Sequence, residues 1–232
     1  MMSIFRLFDF IKKYTVKEKI EYNIRGGNMN NLSENNKYNT LIENISNLNL
    51  ISSKKYSDNQ AKNISIVTIT RILTPLGPIL AGTTDKGICI FEFVDRRMIE
   101  TQLKKLTVLL NCEFVPGSHK LLDEANVQIQ SYFKGELKEF SLPIDVPGTE
   151  FQKNVWDVLM KIPYGTTCSY QDQADALGSP KSVRAVANAN GLNRIGIIIP
   201  CHRVIGKNGK LVGYGGGLWR KQYLLDLERD NL

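Results

Sequence analysis

The sequence predicts two folded domains in series, an α/β domain and then a mainly helical one, behind a polar N-terminal extension. Three observations carry that expectation. Short β-rich runs separated by turn residues begin at Ile64, and two helical patterns follow them. "FSLPIDVPGT", Phe140 to Thr149, holds two prolines and a glycine and reads as a strand running into a linker. Beyond it come capped helical stretches, a helix-turn-helix pattern and a hairpin signal resembling a wing. The 232 residues suffice for one or two domains, each with its own core. The expected divisions are an extension over 1–62, an α/β domain over 63–146 and a helical domain over 147–232.

Residues 1 to about 62 are rich in Asn, Lys and Ser and show little sustained periodicity, so they read as disordered or weakly helical. "RGGNM", Arg25 to Met29, is what a purine-rich ribosome-binding sequence would encode just before a start codon. Residues 1–28 then read as translated leader with the natural start at Met29, against the alternative of a genuine flexible extension. The opening "MMSIFRLFDFIKKY" has neither a continuous apolar core nor a small-residue cleavage site, so no secretory signal is expected. A short interfacial helix is the other reading of that stretch.

The strand runs are "ISIVTITRI", "ILAGTT" and "ICIFEFV", with Pro75 and Gly77 marking one turn and Asp85 and Gly87 the next. "RRMIETQLKKLTVLL" has helical spacing, with Met98, Leu103, Leu106 and Leu110 near one face. In "KLLDEANVQIQSYFKGE", Leu122, Val127 and Tyr132 are expected on one helix face, and Gly135 ends the helix. Thr149 and Gln152 form a capping box for a helix whose core stripe is Phe151, Val155, Leu159 and Ile162. Ser169 to Asp172 is a weaker cap for a short helix ending at Gly178. Ser179 caps the next, with Pro180 at its first position and Gly191 at its end. Asn208-Gly209 marks the turn of the wing hairpin. The last helix, "LWRKQYLLDLE", reads as amphipathic, with Trp219, Tyr223 and Leu227 on one face.

The chemistry concentrates in "IIIPCHRV", Ile197 to Val204, which reads as a buried strand ended by Pro200. A lone cysteine is usually a small core residue. Here Pro200 can start a helical turn, and a helix N-terminus at Cys201 would lower the thiol pKa and favour the thiolate. His202 is one of only two histidines. Neighbours on a helical turn diverge by about 100°, so direct contact of thiol and imidazole is not expected and a bridging water is. Glu228 could orient the imidazole, although by spacing alone it reads as a solvated acid. The net charge of +7 and pI of 9.2 are compatible with a polyanionic partner. No apolar stretch approaches the ~20 residues that span a membrane. The four cysteines include no C-x-x-C pair, so neither zinc nor another metal is expected, and free thiols suggest a reducing, cytoplasmic setting.

"PCHRVIG", together with "SY", "GSPKSVRAVANANGLN", "GKLVGYGGGLWRKQYLLDLE" and "TPLGPILAGTTDKGICIFEF", resembles the methylated-DNA–protein-cysteine methyltransferases, or O6-alkylguanine-DNA alkyltransferases. The resemblance covers roughly residues 65–232. It implies a ribonuclease H-like sheet in the first domain and a winged helix-turn-helix-like second domain that binds duplex DNA through the minor groove. It implies irreversible, single-turnover transfer of an alkyl group from O6-alkylguanine to Cys201, with O4-alkylthymine a further candidate substrate. The target nucleotide is flipped out. By the same resemblance Arg184 fills the vacated space, and Ser182, Ala185, Ala189 and Arg203 lie at the DNA. Tyr170 rotates the 3′ phosphate and hydrogen-bonds the base. Val204, Tyr214 and Gly215 line the pocket, and Asn193 stabilises the hinge between recognition helix and cysteine. Glu228 orients His202, which takes the Cys201 proton through water. No cofactor is implied, and the protein is expected to act as a monomer.

Two positions depart from relatives: Ala187 stands where many have glycine, and Gly215 where some have serine. The alternatives are a non-catalytic sensor that flips alkylguanine, against which the presence of Cys201 argues, and a Cys-His hydrolase, which the adjacent Cys-His order disfavours.

Overall fold

A computed structural model describes residues 39–44 and 64–232. The expectations for the remaining N-terminal residues, including the leader reading, lie outside the described residues. Within the extension, residues 39–44 are helical and bury Leu41 and Ile42 in the core of the first domain.

That domain is a four-stranded sheet of β1 (Ser65–Ile72), β2 (Ile79–Thr83), β3 (Ile88–Phe93) and β4 (Cys112–Pro116), in the order β3-β2-β1-β4. β1, β2 and β3 form an antiparallel meander, and β4 returns parallel to β1. A parallel return needs a crossover, here α1 (Ile99–Leu110). Leu103 and Leu106 of α1 pack with Val67, Leu80, Ile90 and Phe114 on one sheet face. On the other face lies α2 (Lys120–Phe133), whose buried stripe is Leu122, Ala125, Ile129 and Tyr132, at spacings of three, four and three. Every residue of β3 is buried, as expected of a strand covered on both faces.

Several local expectations are corrected. Met98 is not in the α1 stripe: it is the N-cap, exposed, with φ 65°. Val127 faces solvent and Ile129 takes its place in the core. "FSLPIDVPGT" contributes only a one-residue bridge, Ile144 beside Ile88. β4 carried no expectation, because its five residues are too few to show alternation against the preceding helix.

The second domain contains α3 (Glu150–Met160), β5 (Cys168–Ser169), α4 (Tyr170–Ala176), α5 (Val183–Gly191), β6 (Val204–Ile205) and α6 (Leu218–Asp230). Both capping boxes, Thr149 with Gln152 and Ser169 with Asp172, are formed. Phe151 is the exception to the α3 stripe. It is exposed, and Trp156 is buried instead, donating Nε1–H to the Ala189 carbonyl at 3.0 Å. α4 and α5 form the helix-turn-helix pair. A buried amide pair joins them, Gln173 and Asn190 exchanging hydrogen bonds of 2.7 and 3.2 Å. α5 starts at Val183 rather than Pro180: Ser182 bonds back to the Ser179 carbonyl through both its amide and its hydroxyl, closing a separate turn first.

The predicted hairpin does not form. Asn208-Gly209 does make a tight turn, with Gly209 at φ 74°, but β6 pairs parallel with β5 and residues 206–217 form a loop. Lys221 Nζ holds that loop from inside, donating to the carbonyls of Val204 at 2.6 Å, Val212 at 2.7 Å and Gly213 at 3.3 Å. α6 follows its expected packing only at Leu227, which is half-buried against the core. Trp219 and Tyr223 are exposed, whereas Arg220, Lys221, Leu224 and Glu228 are buried.

One continuous core runs from the α2 face of the sheet into the second domain. The edge of β3 is covered by the chain itself. Pro143–Asp145 bonds to Ile88 on one stretch, and Arg194–Gly196 bonds to Phe91 on the next, at 2.8 Å each way. The segment leading to Cys201 is therefore docked on the first domain's sheet, where it also protects an open edge.

Candidate active site

Cys201 does not follow a strand. Ile195 to Ile199 is a tight buried turn in which Ile197 adopts φ 69°. A β-branched residue in that region is strained, at a cost of about 1–3 kcal/mol, so the surroundings must impose it. Asn193 does so. Its Oδ1 accepts from the Ile195 amide at 2.9 Å, and its Nδ2 donates to the Ile199 carbonyl at 2.9 Å and to Cys201 Sγ at 3.4 Å. Both amide hydrogens and the carbonyl are thus used, with the side chain fully buried.

Cys201 opens a three-residue 3-10 turn, Cys201–Arg203. The expectation of a lowered thiol pKa is corrected: burial raises it, and the Asn193 hydrogen bond opposes the rise. A single 3-10 turn aligns too few peptide dipoles to outweigh desolvation. The thiol therefore needs a base.

His202 is buried, and burial lowers its pKa, so it is neutral near pH 7. Its Nε2 lies 2.7 Å from Glu228 Oε1. Glu228 is no solvated acid. Oε1 also accepts from Tyr132 Oη at 2.7 Å and Arg203 Nη2 at 3.0 Å, and Oε2 accepts from Arg203 Nε at 2.9 Å and the Gly165 amide at 3.0 Å. Burial opposes its ionisation, but the hydrogen bonds from His202 and Arg203 outweigh that and hold the carboxyl at about 2. An ionised Glu228 can only accept, so the imidazole carries its proton on Nε2. The lone pair is then on Nδ1, which is buried and has no hydrogen-bond partner.

Cys201 lines a cavity of about 110 Å³ with Tyr170, Ala187, Tyr214 and Gly215, joined by Glu92 and Arg96 from the first domain. Tyr170 Oη donates to the Val212 carbonyl at 3.2 Å. Burial, with a contribution from Cys201, pushes this phenol up to about 12 and keeps it protonated.

Of the predicted DNA-facing residues, Arg184 and Ala185 are exposed on α5 and Ser182 is half-buried. Ala189 is corrected: it faces the core, where its carbonyl receives the Trp156 indole. Arg203 is corrected as well. It is buried, forked onto Glu228, and its Nη1 donates to the Ile162 carbonyl at 2.6 Å. Val204 is a core residue outside the cavity lining, its carbonyl taken by Lys221. Three contributors carried no sequence expectation: Glu92, Arg96 and Lys221. The available signal was an acid in the otherwise apolar run "ICIFEFV", four residues before an arginine. Among the described residues no cluster of three or more His, Cys, Asp or Glu side chains could hold a metal ion.

Comparison with known proteins follows the two-part architecture. The family profile for the 6-O-methylguanine DNA methyltransferase ribonuclease-like domain matches residues 68–146, and that for the DNA binding domain of the same proteins matches 150–230. A methylated-DNA–protein-cysteine methyltransferase of Methanosarcina barkeri is 42% identical over 161 residues, which is 69% of this chain and 96% of that protein. One from Mycobacterium leprae is 56% identical over 156 residues, 67% of this chain and 88% of that protein. The crystal structure of Mycobacterium tuberculosis OGT in complex with DNA superimposes with a TM-score of 0.60 at 40% identity, covering 72% of this chain and 94% of that one.

Proposed function

The chain belongs to the 6-O-methylguanine DNA methyltransferase family, and from that premise we propose that it repairs alkylated DNA by moving the alkyl group onto its own Cys201. It is a methylated-DNA–protein-cysteine methyltransferase and its partner is DNA. The substrate is O6-alkylguanine in duplex DNA, bound through the minor groove by α5, and one protein molecule acts as a monomer. The observation that carries this reading is the Asn193 amide donating to Cys201 Sγ at 3.4 Å in the cavity wall, with the His202–Glu228 pair 2.7 Å apart behind it.

The proposed steps join what the family resemblance implies to this geometry. The lesion base leaves the stack and enters the cavity, because its alkyl carbon is out of reach inside the duplex. The exposed Arg184 on α5 fills the space left behind. His202 Nδ1 takes the thiol proton through a bridging water, and the five donors on Glu228 keep that carboxylate ionised while the imidazole becomes charged. Asn193 stabilises the thiolate. The sulfur attacks the alkyl carbon in line; the S–C bond forms as the C–O6 bond breaks. As the C–O6 bond breaks, the negative charge developing on guanine is met by a hydrogen bond from the Tyr170 phenol on the cavity wall, and the thiol proton carried by His202 returns through water to neutralise the base. The product is a thioether, and no group here can expel the alkyl from sulfur, so each molecule acts once. The four free cysteines suit a cytoplasmic location.

The test uses duplex DNA with a single O6-methylguanine and peptide mapping by mass. The expected result is +14 Da (one methyl) on the Cys201 peptide, at no more than one per protein, and none in Cys201→Ala. An unmodified Cys201 combined with tight lesion-selective binding would overturn the transfer reading in favour of a sensor.

A further inference from the structure

We propose that Arg96, from the first domain, is a positioning residue that holds Asn193 and, through it, the Cys201 thiol. This rests on the reading of Cys201 as the alkyl acceptor. Arg96 follows β3, and Glu92, the acid in that strand, contacts its Nη1. From that anchor the guanidinium reaches across the domain boundary. Nη1 donates to the Asn193 carbonyl at 2.5 Å and Nη2 to the Gly191 carbonyl at 2.7 Å. Gly191 is the last residue of α5, where carbonyls run out of helical partners, and Arg96 supplies the donors.

Asn193 is therefore gripped twice. Its main chain is fixed by Arg96, and its side chain fixes the Ile195–Ile199 turn and touches Sγ. Moving the Asn193 backbone would move the amide off the sulfur. The planar fork presents Nη1 and Nη2 at a fixed spacing that matches the two carbonyls while Nη1 also meets Glu92; a lysine ammonium, a single point charge, does not reproduce that spacing. Two independent features agree. Phe91, one residue before Glu92, exchanges hydrogen bonds of 2.8 Å with Arg194 and Gly196, so the same strand grips both sides of the turn. Gly215 leaves the space the guanidinium occupies, since a Cβ there would lie 2.6 Å from Arg96 Nε.

The consequence is that the first domain, which carries no reacting group, sets the geometry of the thiol. Cys201 faces Glu92 and Arg96 from that domain, Lys221 from α6, and Tyr170 and Tyr214 around the cavity, with His202 next in the chain. Of these, Arg96 and Lys221 favour the thiolate and Glu92 opposes it.

Arg96→Met and Arg96→Lys test this in the full chain. Three quantities are needed: the single-turnover transfer rate at saturating O6-methylguanine DNA, the DNA affinity in a Cys201→Ser background, and the pH midpoint of Cys201 alkylation by iodoacetamide. Arg96→Met should slow transfer roughly 100-fold, as misplacement of a reacting group by about 1 Å does. Its alkylation midpoint should rise, while DNA affinity changes little. Arg96→Lys keeps the charge beside Glu92 and so the fold; it should restore the midpoint more than the rate. Folded variants that transfer at the wild-type rate with an unmoved midpoint would overturn the proposal, as would a loss confined to DNA affinity. Should wild type itself fail to take up methyl, the transfer reading falls, and the iodoacetamide midpoints still decide whether Arg96 positions the thiol.

Discussion

The two domains each bury a glutamate against an arginine, and the two carboxyls behave in opposite ways. Glu228 on α6 is held at about 2, whereas Glu92 on β3 is raised to about 7. Burial pushes both upward, so the difference lies in the donors. Glu228 accepts from a phenol, an imidazole, a backbone amide and both arms of the Arg203 fork. Glu92 has the Arg96 Nη1 contact, and Arg96 spends its other bonds on main-chain carbonyls. An arginine partner alone does not keep a buried carboxylate ionised; the number of hydrogen bonds it collects does. The pattern suits their roles. In the proposed reaction Glu228 stays anionic behind a histidine that becomes charged, while in the proposed positioning role Glu92 has only to orient a guanidinium.

Glu228→Ala is the severest break of this comparison. It strands the Arg203 charge and three other donors, the Tyr132 hydroxyl, the His202 imidazole and the Gly165 amide, in the interior, and about 3–5 kcal/mol of stability should be lost, measured by urea unfolding at pH 7. A loss below about 1 kcal/mol would mean the carboxylate is not the hub it looks to be.

The pH dependence separates the two acids further. Glu228 has a folded value of about 2, below its ordinary 4.5, so its stabilising contribution is complete above pH 4.5 and drains away as pH falls toward 2. Glu92 has a folded value of about 7, above the same 4.5, so its contribution is complete below pH 4.5 and is lost as pH rises through 7. Urea unfolding across that range should show both limbs, with Glu228→Gln flattening the acid one. An acid limb that survives Glu228→Gln would assign it to other groups.

Glu92→Gln is the mildest change. The amide keeps an acceptor for Arg96 and mimics the neutral acid, so stability at pH 5 should shift by no more than about 1 kcal/mol, with the limb between pH 4.5 and 7 reduced. A loss as large as that of Glu228→Ala would show that the two pairs are equivalent after all.

How far these features could be read in advance follows the same division. Where burial is apolar, pattern and structure agree: the three strands of the meander, Leu103 and Leu106 on α1, and Val155 and Leu159 on α3 lie where their spacing puts them. α6 reverses the rule. Its apolar Trp219 and Tyr223 face out because the site requires Lys221 and Glu228 inside, and amphipathic reading assumes that charges go to water. The "III" run misled for a related reason. Its residues are buried as expected, but Asn193 bends them into a turn that β-propensity does not favour.

What the sequence determined by itself was local. Capping boxes act across three residues, turns across four, and the placing of Cys201 beside His202 needs no distant partner, so the nucleophile, its neighbour and the helix-turn-helix were legible. The tertiary structure decided the rest. Glu228 reaches His202 across 26 positions and Arg96 reaches Asn193 across 97, separations at which spacing carries no geometric information. Which charges are buried, which carbonyls they meet and how the thiol is aimed were settled only when the helices packed and β3 gathered the cysteine turn onto its edge.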